Sequence, residues 1–398
     1  MRSAHPLPPA YWRQWSASAV SNLGDGVNFV AIPLLAFAIT SDERLLSATA
    51  FAVFAPWIAL ALPIGRVVDR YDRRRLMVGA NLVRVALFSA IAVAAWADRL
   101  PVGALIVVLI VIGACEVLFD SSAQAFLPMI VDHDALPRAN GLLYAAEVVA
   151  GSLAGLALGA LLFGASVGLP FVVNAVSFAI AAALIASVRT RPGADPPPTG
   201  GFDATSGLRS LREVPVLRVL AAMFALTNLG LLFGQGIFVK FASVELGLGP
   251  YGYGALLVVT ALGAATGGLL GPALVDRFGT GVAVLAPFVV FGPAQFAIAW
   301  SGRVWAVGAA GFVLGGAIAT WNVATVTLRQ QVIPSERFGR VNSTYRWIGA
   351  TASAIGIGSG GFVARATDLR APFVVGGVLT AVTGVLFARP LLRSLAAS

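Results

Sequence analysis

Of cysteine, histidine and lysine the 398 residues hold very little: Cys115, His5 with His133, and Lys240. A lone Cys115 excludes an internal disulfide and any cysteine-rich metal site, and it reads as a packed helix residue. His5 and His133 are too isolated to suggest a metal site. Charge is scarce as well, at 11% of residues against 58% hydrophobic, with a mean hydropathy of +0.86. That is more apolar surface than a soluble core can hide, so the chain reads as an integral membrane protein. No Gly-x-x-x-x-Gly-Lys-Ser/Thr stretch is present, which argues against an ATP-driven pump, and no other constellation marks an enzyme. No cofactor and no metal are expected.

What the chain has in abundance is apolar runs of about 20 residues, each long enough to span ~30 Å of hydrocarbon. Six fall in the first half: Ser16 to Thr40, Ser47 to Val68, Leu76 to Ala97, Val102 to Ala125, Asn140 to Gly164 and Pro170 to Val188. Six more fall in the second: Val216 to Phe241, Tyr251 to Val275, Val282 to Ser301, Val304 to Leu328, Val341 to Ala364 and Ala371 to Phe387. The expected fold is an all-α membrane protein of twelve transmembrane helices in two pseudo-symmetric six-helix bundles, residues 1–188 and 215–398. Between them Arg-Pro-Gly-Ala-Asp-Pro-Pro-Pro-Thr-Gly-Gly forms neither a span nor a core. Residues 189–214 are therefore a cytoplasmic linker, in which Leu208, Leu211 and Val214 at helical spacing allow a short interfacial helix or a solvated lead-in.

The net charge of +9 would suit nucleic acid, but the arginines collect in short loops on one side of the expected bilayer. Topology explains them, with both termini in the cytoplasm and the protein in the inner membrane. Nucleic acid is not an expected partner; lipid, a small solute and protons are, and the expected state is a monomer. Only Arg44, Arg99, Lys240, Arg303, Arg365 and Arg370 fall outside. Trp96, Trp300 and Trp305 mark the outer interface, and Tyr11, Trp12 and Trp15 read as interfacial aromatics of a retained cytoplasmic N-terminus.

The chain is organised around Gly65 to Arg75, where five arginines and two aspartates form a tight charged loop between two apolar runs. Gly65, four residues before Asp69, would let the helix end approach a neighbour closely. The pattern returns as Asp276-Arg277-Phe278-Gly279, and Phe119-Asp120-Ser121 and Arg138-Ala139-Asn140 align with Trp321-Asn322-Val323 and Arg340-Val341-Asn342 at one shared offset. An internal repeat follows, of the kind that suits alternating access.

An ion buried in hydrocarbon costs ~2.5–3.5 kcal/mol even on the lenient insertion scale, so charges inside the spans are candidate functional residues. Asp25, Arg84, Glu116 and Glu147 all fall at ~10–15 Å depth, counted at ~1.5 Å per residue, which allows one network. Their burial would fit the acids for proton exchange; alternatively Arg84 neutralises Glu116 or Glu147 as a structural ion pair. The second half offers neutral groups at depth: Asn228, Gln235, Gln295 and Asn322. A substrate cavity lined by Asn22, Asp25, Phe29, Asn228, Gln235, Trp321 and Asn322 is expected. Gly151, Gly155 and Gly159, four apart, read as a close helix contact.

Gly65-x-x-x-Asp69-Arg70-x-x-Arg73-Arg74, placed after the second span, resembles the loop motif of the major facilitator superfamily. The resemblance extends through Asn22-Leu23-Gly24-Asp25-Gly26, Leu127-Pro128, Arg138-Ala139-Asn140-Gly141 and Pro170 to Phe178, and is nearest the macrolide-efflux and enterobactin-exporter branch. It implies a twelve-helix transporter whose cytoplasmic latch comprises Gly65, Asp69, Arg70, Arg73, Arg74 and Asp120, with Asp276 and Arg277 as a weaker second copy. Asp72 stands where the family has glycine, and Pro272 where the second copy would repeat Gly65. A helix-one acid such as Asp25 resembles those of the family's drug exporters, whereas the antiporters' glycine-proline pair is incomplete, Leu156 replacing the proline. The resulting expectation is proton-coupled export of a small hydrophobic or amphipathic compound. The alternatives are a lipid-translocating facilitator, a solute importer and a non-transporting scaffold or sensor, the last disfavoured by the intramembrane acids.

Overall fold

The computed structural model describes residues 7–60, 63–188, 213–333 and 335–396. Among them twelve helices are long and apolar enough to cross a membrane. We label them α1 (Pro9–Ile39), α2 (Glu43–Leu60), α3 (Arg73–Trp96), α4 (Val102–Phe126), α5 (Leu136–Ala165) and α6 (Leu169–Ala186). The second half contributes α7 (Pro215–Val244), α8 (Pro250–Phe278), α9 (Thr280–Trp300), α10 (Val304–Val332), α11 (Ser335–Ala366) and α12 (Ala371–Ala396). Most of the linker expected at 189–214, and with it the interfacial helix, lies outside the described residues.

The helices depart from the apolar runs where side chains, rather than hydropathy, set their limits. α1 begins at Pro9 because its first turns are anchored: the Tyr11 hydroxyl donates to the Ala139 carbonyl at 2.9 Å, Arg13 to Ser187 at 2.8 Å and Trp15 to Leu142 at 3.0 Å. Tyr11 is thus fully buried and not interfacial, while its neighbour Trp12 is exposed. Past α2 a short helix, Pro63–Arg70, carries Gly65 and Asp69, so the charged stretch is largely helical instead of a loop.

Two spans are interrupted. α7 breaks into a turn and a 3-10 segment, Gln235–Ile237, where Gly234 packs on the Phe373 ring and Gly236 on Ser47 too closely for any Cβ. α5 is wound with π geometry from Glu147 to Gly155. Such segments are rare and concentrate at functional sites.

The helices group into two compact units, one of residues 1–39 and 59–201, the other of 40–58 and 202–398. By packing, therefore, α2 belongs with the helices of the second half. In the first unit Tyr11, Met77, Phe119, Phe126 and Ile185 meet in one apolar cluster. In the second, Leu220, Phe288, Phe291, Trp321 and Tyr345 form one cluster, and Phe241, Ile298, Val307 and Phe373 another. Large apolar side chains such as Leu269, Val289 and Val385 point outward, as contact with lipid tails requires. Trp96, Trp300 and Trp305 are exposed at the ends of α3, α9 and α10, where an aromatic belt would sit.

Candidate functional site

The first unit is assembled around a backbone-to-backbone crossing of α1 and the π segment of α5. A Cβ on Gly26 would collide with the Gly151 carbonyl, one on Gly155 with Gly26 and Leu23, and one on Gly159 with Val27. Gly24 is equally hemmed in by the Asn174 and Ser177 side chains of α6. The three glycines four apart therefore form a close helix contact, and they hold Asp25 between two glycines that touch different helices.

Asp25 is half-buried there, within electrostatic range of Arg84, Asp120 and Glu147. Glu116, also half-buried, lies within range of Asp25 and Arg84. Asp120 thus shares the electrostatic neighbourhood of the buried acids in addition to the role expected of it beside the charged segment. Glu147 is exposed at the first turn of the π segment, unlike Asp25 and Glu116, which the helix packing partly covers. Equal depth along a helix does not imply an equal environment around it.

Arg84 is the fixed charge at the centre of this group, at 2% exposure. Its guanidinium lies over two rings, 4.7 Å from the centroid of Phe178 and 5.5 Å from that of Phe119. Nε and Nη2 have no hydrogen-bond partner, and among the described residues no carboxylate stands within 4.0 Å of it. The alternative of an Arg84 ion pair with Glu116 or Glu147 is not realised. The rings compensate the charge instead, an arrangement that stabilises by ~0.5–2 kcal/mol per contact. One turn before it, Asn81 is fully buried and likewise has no partner for either amide atom.

In the charged segment after α2, Arg73 is buried and donates to the Ala125 carbonyl at 3.0 Å, while Asp69 lies 3.8 Å from its Nη2. Arg74 donates to the Val188 carbonyl at 3.0 Å. Asp72 caps α3, its carboxylate accepting from the Arg75 N–H at 2.8 Å, which supplies a local reason for an aspartate where the family has glycine. Gly65 has nothing within 4 Å of where a Cβ would stand, so close approach does not explain it here. The short helix rests on its other side, through the buried Val68. Arg70 is exposed.

The second unit answers differently. Asp276 and Arg277 are exposed, and Arg277 lies over the adjacent Phe278 ring at 5.5 Å. Among the described residues of this half the buried arginine is Arg329, a residue with no expected role in the sequence. It donates to Asn342 at 2.6 Å and sits 4.0 Å over the Tyr345 ring. Its only sequence signal is an arginine shortly before the Arg340-Val341-Asn342 repeat copy.

Of the expected cavity residues in this unit, Asn228 is engaged locally, donating to Phe224 at 2.8 Å and accepting from Ser353 at 3.2 Å. Trp321 is 2% exposed, stacked 5.6 Å from Phe224, so it serves the apolar core here instead of lining a cavity. Gln235 is half-buried in the α7 break, and Asn322 is exposed. In the first unit Asn22 is half-buried and Phe29 exposed.

Twelve apolar helices among the described residues, with carboxylates and an arginine inside them, define a multi-pass membrane protein. The sequence model of the Major Facilitator Superfamily matches residues 15–239 and 230–396, and the chain belongs to that family. Macrolide efflux protein A of Streptococcus pyogenes is 27% identical over 131 residues, 33% of this chain and 32% of that protein, so the match spans about a third of that relative's length. An uncharacterised MFS-type transporter of Bacillus subtilis, YkuC, is 21% identical over 83% of this chain and 80% of its own. Among solved structures, a mutant of the nucleoside transporter NupG superposes with a TM-score of 0.81 at 10% identity, covering 96% of this chain and 99% of its own. An inward-facing bacterial homologue of the iron transporter ferroportin gives 0.77 at 17% identity, covering 96% and 98%. At such identities these structures speak for the fold alone.

Proposed function

We propose that the protein exports a small hydrophobic or amphipathic compound in exchange for protons. It works as a monomer by alternating access, in a bacterial inner membrane with both termini cytoplasmic. The observation that carries this reading is the state of Asp25 beside Arg84. A half-buried carboxylate lies in the field of a buried guanidinium that is not hydrogen-bonded to it. A carboxylate locked in a close ion pair holds its charge, whereas one that only feels a nearby cation exchanges its proton at lower cost. Glu116 and Glu147 add two further acids to the same neighbourhood, and Arg84 sets the balance between them.

The arginine asymmetry of the loops supports the orientation. The macrolide-efflux resemblance supports export and an apolar or amphipathic cargo. The weak second copy of the charged segment supports a cytoplasmic latch centred on Asp69, Arg73 and Asp120. The half-buried or exposed Asn22, Phe29, Gln235 and Asn322 remain the candidate cargo contacts.

The test is efflux of a macrolide panel from proteoliposomes under an imposed pH gradient. Wild type should expel at least one compound only with the gradient. Asp25→Asn should bind it but lose gradient-driven movement, since the amide mimics the neutral acid. Full gradient-driven transport by Asp25→Asn removes that residue from the mechanism, and a wild type indifferent to the gradient overturns proton exchange.

A further inference from the structure

The first unit buries polar atoms that find no partner among the described residues, and several of them converge on Arg84. The two rings beside Arg84 balance its charge but leave Nε and Nη2 without an acceptor. Asn81, three residues earlier on the same face of α3, is fully buried, and neither Oδ1 nor Nδ2 is paired. On α4, Ser122 lies three residues beyond Phe119, the residue whose ring is 5.5 Å from Arg84; it too is fully buried, and its Oγ has no partner. Consecutive spans run in opposite directions, so Asn81 and Ser122 both stand about one turn from Arg84 on the side of Arg73. Gln14 of α1 joins them there. Its Nε2 makes a long bond of 3.5 Å to the carbonyl of Ala123, the neighbour of Ser122, while its buried Oε1 stays unpaired.

Two features set this group apart from ordinary helix packing. Ser177, Thr325 and Thr351 each donate to a carbonyl one turn earlier, the usual way for a helical hydroxyl to be satisfied. Ser122 makes no such bond, which turns its hydroxyl away from its own helix. The unpaired atoms are also of both kinds: Arg84 Nε and Nη2 and Asn81 Nδ2 donate, Asn81 Oδ1 and Gln14 Oε1 accept, and Ser122 Oγ does either. An anion would serve the donors alone. Water serves both. Towards Arg73 the site is closed by the buried Met77 and Phe126, four residues beyond Asn81 and Ser122 on their helices and members of the apolar cluster of this unit.

We propose that the interior of the first unit holds a site for resident water, bridging Arg84, Asn81, Ser122 and Gln14. A buried polar group left unpaired is costly, and a bridging water recovers most of what a direct bond would supply. At roughly three hydrogen bonds to each buried water, the atoms named above seat about two molecules. Arg84 is then solvated from within the protein as well as faced by rings. It keeps its charge without a carboxylate partner, whichever way Asp25 and Glu116 stand. Asn81 and Ser122 act here as positioning residues that hold the water and touch no cargo.

The test needs neither cargo nor gradient, so failure of the proton-exchange reading leaves it standing. A density map of the full chain, fine enough to show ordered water, should place a water on Arg84 Nε or Nη2 and on Asn81. An anion in that place, or no ordered molecule, overturns the proposal. Melting temperatures in one detergent give the energetic half. Leucine matches asparagine in size, so at a dry site Asn81→Leu removes two unpaired atoms and raises the Tm, whereas at a hydrated one it displaces water, strands Arg84 and Ser122, and lowers the Tm by several degrees. Asn81→Ser orders the other way. It keeps a hydroxyl and leaves room for a further water, so it should melt above Asn81→Leu, while at a dry site the gap it opens would make it melt below. If Asn81→Leu does not reach the membrane, Ser122→Ala carries the comparison from the facing helix, with a lower Tm expected. An unchanged or raised Tm in the apolar variants overturns the proposal, as does an Asn81→Ser that melts no higher than Asn81→Leu.

Discussion

Arg84 lies 4.7 Å above the Phe178 ring, and among the described residues no carboxylate reaches its guanidinium within ion-pair distance. The stability of this cation therefore depends on an aromatic face, and the acids near it are left for other work. Phe178→Leu should destabilise the protein by about 1–2 kcal/mol, through lost cation–π attraction and packing. Glu116→Gln should change stability by less than about 0.5 kcal/mol, since no direct bond to Arg84 is lost. Melting temperatures of the purified variants in one detergent check both. A larger loss for Glu116→Gln than for Phe178→Leu would restore the ion-pair assignment.

The crossing of α1 and α5 makes a size prediction. Gly26→Ala and Gly155→Ala each force a methyl into a facing backbone and should cost about 1–3 kcal/mol, the scale of overpacking. Gly141→Ala, with nothing within 4 Å, should be neutral or slightly stabilising. Thermal unfolding of the three variants side by side decides whether contact or general glycine content matters.

Asp72 supplies an N-cap where the family has glycine. Asp72→Ala should cost about 1 kcal/mol, while Asp72→Ser and Asp72→Gly should cost only a few tenths. Hydrogen exchange of the first turn of α3 is the direct measurement. Equal protection in all three variants would show the cap to be idle.

The two copies of the charged segment should respond unequally. Arg73→Ala removes a buried donor to Ala125 and should cost about 1.5–3 kcal/mol, whereas Arg277→Ala, at an exposed position, should stay within about 0.5 kcal/mol. Arg329→Ala should resemble Arg73→Ala, because it strands Asn342 and uncovers Tyr345. Comparable losses at Arg73 and Arg277 would contradict this asymmetry.

The Asp42–Arg44 pair at the start of α2 fixes a pH dependence. Hydrogen bonds from the Arg44 side chain and backbone hold the Asp42 carboxyl well below its ordinary value. A depressed value in the folded state contributes stability that is present above the unfolded value of about 3.9 and disappears as pH falls below it. Any difference in melting temperature between Arg44→Gln and wild type should thus be the same at pH 5 and pH 8. A difference that fades between pH 8 and pH 5 would point to another group.

The sequence alone determined the twelve spans and the charged segment after the second. These are local quantities: about 20 apolar residues must cross the hydrocarbon whatever surrounds them, and each residue adds ~1.5 Å of depth. The tertiary structure decided which way each side chain faces around its helix. A soluble helix announces its buried face by an apolar stripe, but a helix apolar all round carries no such mark. With ~3.6 residues per turn, neighbouring positions face directions ~100° apart, so Glu147 can be exposed while Asp25 at similar depth is half-covered. The same ambiguity left open whether Arg84 meets a carboxylate, and hid both its aromatic contact and the burial of Trp321. It also concealed that α2 packs with the second unit, because the glycines that receive it, Gly236, Gly358 and Gly361, lie far away in sequence and become a notch only when α7 and α11 come together.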